Sequence, residues 1–219
     1  MTISLLDLYN SAATQEWSMY DNDALSQDEF ESALVLALNK AIAEILYSYS
    51  FNFRLKTHLI LTLPRIKEYN LPKGLIKKDY NGDLQVKYNS KLLRFEEKIE
   101  KCVHKSMEPT AFCIIGNKIV LNSAPSEKGM LIIDYYTLAI GQNKEGEEIF
   151  ALKNQDDILD VPEYLEELLK NAVIARAMLN SIASESDENY SAYKKQSETA
   201  YRLLVKYSKG VGVDKSIKL

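Results

Sequence analysis

From residue 26 to about residue 50, Phe30, Ala33, Leu34, Ala37, Leu38, Ala41, Ile42, Ile45, Leu46 and Tyr49 recur three and four apart. The spacing predicts a long amphipathic helix, and Ser26 with Glu29 three places later forms a capping box at its start. Val35, Leu36 and Tyr47 lie off the main stripe, so neighbours are expected on more than one side of it. From 57 to about 152, short apolar runs alternate with Gly, Asn and Pro, the pattern of antiparallel strands joined by tight turns. The run His58-Leu-Ile-Leu-Thr-Leu63 stops at Pro64. Segments 75–80 and 83–88 flank Asn81-Gly82, a dipeptide suited to a type I′ hairpin turn. Segments 112–115 and 118–121 around Gly116-Asn117 predict a second hairpin, and 130–138 with 147–152 a third. Between them Leu92, Phe95, Ile99 and Val103 give 90–106 a helical period. Asp160 reads as a helix cap with Pro162 in the first turn, followed by Leu165, Leu168, Ala172, Ala175, Leu179 and Ile182 at helical spacing. The polar stretch 184–189 breaks that period, and Tyr193, Ala200, Leu204 and Tyr207 mark a last helix ending at Gly210.

The expected fold class is therefore α+β: a long N-terminal helix and a C-terminal helical hairpin packed with a small antiparallel sheet. Its expected parts are 1–56, helical; 57–152, antiparallel strands with a helical insertion at about 90–106; 153–210, the helical hairpin; and 211–219, a flexible tail. With 219 residues, 46% hydrophobic and 26% charged, and only 8 Gly and 5 Pro, the chain has the composition of a globular protein rather than a disordered or collagen-like one. A net charge of -4 argues against gripping a phosphate backbone by bulk charge. The start Met1-Thr-Ile-Ser-Leu-Leu-Asp7 has no basic flank and meets an acid early, so neither a signal peptide nor a membrane anchor is expected, and synthesis in the cytoplasm is. Cys102 and Cys113 are then expected as reduced thiols.

Cys102, His104, Cys113 and His58 bear the residue types of a zinc site, but there is no C-x-x-C pair to hold the spacing such sites keep. Two His in the chain limit general acid–base chemistry near neutral pH, and no Gly-x-Ser-x-Gly elbow is present. Asp156, Asp157 and Asp160 read as a solvated loop plus a helix cap. Gly210-Val-Gly-Val-Asp-Lys215 resembles a phosphate loop only superficially, because it follows a helix and no helix comes after it; it reads as a C-cap and hinge at Gly210 and Gly212. Asn189-Tyr-Ser191 matches a glycosylation sequon by chance. Fourteen Tyr, among them Tyr47, Tyr49, Tyr135, Tyr136, Tyr190, Tyr193, Tyr201 and Tyr207, suit subunit contacts as well as core. No residue set calls for an enzyme or a cofactor.

Four phrases in succession carry a resemblance. Tyr69-Asn-Leu-Pro72 with Gly74 follows the long helix and a strand; then come Ile114-Ile-Gly-Asn-Lys-Ile-Val-Leu-Asn-Ser-Ala-Pro125, Leu131-Ile-Ile-Asp-Tyr-Tyr136, and helices opened by Val161-Pro-Glu-Tyr164. In this order the chain resembles the head-to-tail adaptor, or ring, proteins of tailed double-stranded DNA phages, a group that includes tail tubular protein A and the ring proteins of crAss-like phages. The resemblance implies a structural protein of the virion neck, assembled in the host cytoplasm and without catalytic activity. It implies a ring of copies, commonly twelve, seated on the portal protein, with the next tail protein built upon it. Genomic double-stranded DNA would pass through the lumen without sequence-specific binding. It also implies that helices carrying Ile42, Leu46, Leu168 and Leu179 form the ring wall. Val211, Val213, Ile217 and Leu219 would dock on the portal, ordering as they bind. A dozen copies at -4 each make an acidic annulus over which phosphates slide. Two rival readings are a bacterial interaction or regulatory module acting as monomer or dimer, and a metal-dependent hydrolase using Cys102, His104 and Cys113.

Overall fold

The computed structural model describes residues 3–14, 27–75, 78–79, 82–97, 108–181 and 190–209. The chain is α+β and divides into two compact units, Arg54–Leu138 and Met1–Phe53 together with Ala139–Leu219. The first unit holds strands β1 (Leu55–Thr62), β2 (Glu68–Asn70), β3 (Lys78–Asp79), β4 (Gly82–Asp83), β5 (Gln85–Tyr88), β6 (Lys91–Leu92), β7 (Arg94–Phe95), β8 (Ala111–Ile115), β9 (Lys118–Leu121) and β10 (Gly129–Tyr136). They form two four-stranded sheets, in the orders β1-β10-β5-β6 and β2-β9-β8-β7, and the separate ribbon β3-β4. Strands β5 and β10 turn alternate residues inward, Val86 and Tyr88 from one and Leu131, Ile133 and Tyr135 from the other. These meet Tyr69, Phe112, Ile119 and Leu121 of the second sheet in one core.

The hairpin at Gly116-Asn117 forms as expected, with Ile115 opposite Lys118 and Gly116 at φ +59, which the first central residue of a primed turn requires. The other two hairpins are paired differently. Lys78–Asp79 and Gly82–Asp83 make only a short ribbon, while Gln85–Tyr88 joins β10; Asn81 lies outside the described residues. Segment 130–136 does not fold back on 147–152, because it runs as the central strand between β1 and β5. The helix expected at 90–106 is also corrected for its described part. Asn89 (φ 45) and Ser90 (φ 69) make the left-handed turn of a β5-β6 hairpin, a start no right-handed helix shares, and Lys91–Leu92 and Arg94–Phe95 are strands. Strand β7 runs parallel to β8, which the long connection between them permits, and residues 98–107 lie outside the described set.

In the second unit lie α1 (Leu5–Thr14), α2 (Gln27–Tyr47), α3 (Glu166–Ser181) and α4 (Tyr190–Ser208), with a small sheet of β11 (Gly141–Gln142), β12 (Glu148–Ile149) and β13 (Ile158–Leu159) in the order β12-β11-β13. Segment 139–152, read from the sequence with the strands, thus belongs here: Ile140 and Leu152 are buried in the helical core beside Leu8, Leu34, Leu38, Ile42, Leu46, Leu169, Val173 and Leu204. Helix α3 packs against both α2 and α4. The start of α2 at Ser26 lies outside the described residues. Helix α1 escaped the sequence reading although Ser4 and Asp7 form its capping box: the Asp7 N–H donates to Ser4 Oγ and the Ser4 N–H to Asp7 Oδ2, each at 3.0 Å. The 3₁₀ turn Glu163–Leu165 that leads into the third helix has Pro162, rather than Asp160, at its cap position, and Pro162 supplies no side-chain cap.

Polar side chains pin the loops to these helices. Asn39 on α2 donates to the Leu152 carbonyl at 2.8 Å and accepts its N–H at 2.7 Å, satisfying both backbone groups of a buried residue. Asp157, only 2% exposed, accepts the N–H groups of Lys153 (2.7 Å) and Asn154 (2.9 Å). Burial pushes its carboxyl up, but the donors at Asn154 and Lys153 outweigh burial and leave it below the usual carboxylate value. Glu44 accepts Arg176 Nε at 3.1 Å and Asn180 Nδ2 at 3.0 Å, tying α2 to α3.

Ile42→Ala is expected to cost about 2–5 kcal/mol in urea unfolding, as a fully buried aliphatic does. The Asp157 contribution is complete above the unfolded carboxyl value of about 3.9 and is lost as pH falls through the lower folded value. Stability measured on descending below about pH 4 should therefore fall less steeply in Asp157→Asn than in the natural chain.

Candidate assembly surface

Residues directly opposite in an antiparallel sheet share a face, so the register fixes what the outer side of the β1-β10-β5-β6 sheet presents. One row crosses all four strands: Leu59, Ile132, Lys87 and Leu92. Leu61 and Met130 form the next pair, Thr57, Asp134 and Gln85 a row on the other side, and Leu55 and Tyr136 the pair beyond. Leu59 is 57% exposed, Leu61 63% and Leu92 66%, and Leu55 and Met130 are exposed as well. Such a grouping of exposed apolar side chains on a folded unit is characteristic of surfaces used for contact with other molecules.

A polar centre interrupts the field. Thr57 Oγ1 donates to Asp134 Oδ1 at 2.7 Å, and Lys87 Nζ lies 3.0 Å from Oδ2. The Thr57 hydrogen bond holds the Asp134 carboxyl low; burial opposes it, and Lys87 adds to the lowering. Asp134 is thus an ionised, already partnered group, which favours orientation of a partner over strong attraction.

Three of the four phrases that carried the resemblance lie in this β unit, and the fourth, Val161-Pro-Glu-Tyr164, leads into α3 in the other unit. Tyr69 is buried in β2; its hydroxyl donates to the Ile66 carbonyl at 2.9 Å and accepts the Leu63 N–H at 3.2 Å. Burial pushes that phenol up. The buried Leu71 donates its N–H to the Asn117 carbonyl at 3.0 Å, so the Tyr69-Asn-Leu-Pro72 turn and the Gly116-Asn117 hairpin are one structure; Pro72 is half-buried. Pro125 is buried and its carbonyl accepts the Arg65 N–H. Tyr135 and Tyr136 point to opposite faces, the first into the core and the second outward. These residues build the unit and, Tyr136 apart, do not form its outer face.

Of the residues expected in a ring wall, Ile42 and Leu46 are fully buried in their own helical core and Leu168 packs half-buried against it, while Leu179 is half-buried. Ile42 and Leu46 therefore hold the helix in place from behind and have no surface to offer a neighbour; Leu36, 71% exposed, stands on the outer side of α2. Gly210, Val211, Gly212, Val213, Ile217 and Leu219 lie outside the described residues. So do Cys102 and His104, whereas Cys113 is buried in β8 with its thiol pushed up by burial and by Glu96. Among the described residues no group of three His, Cys, Asp or Glu is placed to hold a metal, and no helix is long and apolar enough to cross a membrane.

Set against models of known protein families and against curated proteins, the chain matches none. The exposed leucines of β1 were not singled out from the sequence. Their signal is apolar residues at odd positions 55, 59, 61 and 63, which is also the signal of a buried face.

Leu59→Lys should change stability by less than about 1 kcal/mol, while Ile133→Ala on the opposite face should cost about 2–5 kcal/mol. Equal losses in urea unfolding would mean that the outer face is packed within the protomer.

Proposed function

We propose that this protein is a head-to-tail connector of a tailed double-stranded DNA phage: copies close into a ring, commonly of twelve, that sits on the portal protein in the virion neck and carries the next tail protein. The apolar outer face on β1 and β10 carries the reading, because a field of exposed Leu and Met needs cover, and copies of the same chain supply it in every particle. The succession of phrases from Tyr69 to Tyr164 supports the family, and the meeting of the Tyr69 turn with the Gly116-Asn117 hairpin makes two of them parts of one unit. In this proposal the long N-terminal helix and a C-terminal helical hairpin form the wall, with contacts through outward residues such as Leu36, since Ile42 and Leu46 serve the interior.

The chain acts as a scaffold. Its net charge of -4, repeated around a ring, disfavours adhesion of passing DNA and leaves the conduit open to it.

Negative-stain electron microscopy of the chain mixed with its portal should show an added annulus on one end of the portal, and light scattering of the chain at rising concentration should show species well above the 24.9 kDa of one copy. A single copy at every concentration, with bare portals, would contradict the proposal.

A further inference from the structure

Strand β1 has eight residues and pairs with β10 in a continuous register from Leu55 opposite Tyr136 to Thr62 opposite Gly129. Among the described residues no strand lies along its other edge. In an antiparallel strand the backbone groups point alternately to either side, so half of those in β1 face that open edge. No Pro and no bulge blunts it, and no side chain of β1 before Thr62 is buried. Such an edge is a template for another strand.

The segment 211–219 is long enough to run beside it and shares its alternating pattern. Val211, Val213, Ile217 and Leu219 take odd positions with Lys215, and Gly212, Asp214, Ser216 and Lys218 take even ones. Extended, it places its apolar side chains on one face, as β1 places Leu55, Leu59 and Leu61. The stretch Gly210-Val-Gly212 suits it to depart from the line of α4, whose last residue is Ser208.

We infer that segment 211–219 of one copy adds as a strand to the open edge of β1 in a neighbouring copy, its apolar face continuing the row of Leu55, Leu59 and Leu61. This rests on the ring reading and names the contact that joins the copies. A strand donated at one place and received at another is a heterologous contact, the kind that propagates from copy to copy and closes into a ring. Main-chain hydrogen bonds supply affinity, and alternate side chains fix the register. The resemblance assigns the same segment to the portal, so the two destinations are separable by experiment.

Two full-length variants make the test: Leu59→Lys, with an intact segment and an altered edge, and Val213→Pro, with an intact edge and a segment missing a backbone donor. Circular dichroism checks that each is folded, and Leu61→Lys with Ile217→Pro repeats the pair at independent positions. In sedimentation velocity the natural chain should grow beyond a dimer, and each variant alone should associate more than about tenfold more weakly. An equimolar mixture should form a heterodimer and nothing larger, because each partner lacks what it would need to continue the series. Association of Val213→Pro as in the natural chain, or a mixture that stays monomeric, overturns the inference. If Val213→Pro still closes into rings but no longer binds the portal, the segment serves the portal and the inference falls while the ring reading stands. If the natural chain never associates, with or without portal, the ring reading falls and takes the inference with it.

Discussion

The β unit is organised around the strand β1, whose outer edge is open among the described residues and whose exposed side chains form an apolar face beside it. A strand that is eight residues long, bulge-free, without a neighbouring strand on one edge among the described residues, and bordered by exposed Leu55, Leu59 and Leu61 is a template for another strand, and its apolar side chains favour being covered. The rest of the β unit is consistent with that strand being held ready. Its inner side is anchored through β10, whose Leu131, Ile133 and Tyr135 reach a core shared with the second sheet, so the outer side is displayed on a rigid support. Asp134, fixed between Thr57 and Lys87, interrupts the apolar field with one oriented polar group.

The helical unit solves a different problem, that of holding irregular chain against helices. Asn39 satisfies both backbone groups of Leu152, Asp157 gathers the N–H groups of Lys153 and Asn154, and Glu44 ties α2 to α3 through Arg176 and Asn180. Each does with a side chain what a longer strand would do with its backbone. The small sheet β11–β13 thereby becomes part of the helical unit despite its two-residue strands.

Elements with strong local signals were legible in the sequence. The period of Leu34, Leu38, Ile42 and Ile45 announced α2, and Gly116-Asn117 announced its hairpin, because both depend on residues a few places apart. Strand partnership was not legible. Nothing near 130–136 says that its partners are 55–62 and 85–88, since pairing is settled by which long strand can serve as the centre of a sheet. The β5-β6 turn was missed because Asn89-Ser90 replaces the usual Asn-Gly, and the stripe Leu92, Phe95 then suggested a helix where both side chains are exposed. Helix α1 was missed despite its Ser4–Asp7 box, being short and followed by no long apolar period. As for the candidate surface, odd-numbered leucines look alike whether they face a core or water, and only the register separated the two.

Whether another strand covers the open edge of β1 is read by amide hydrogen exchange across β1 at dilute and at associating concentrations. Alternate amides of 55–62 should slow markedly on association, while those of Leu131–Asp134 in β10, already between two strands, stay as they were. Unchanged exchange throughout β1 in chains that have demonstrably assembled would contradict such cover.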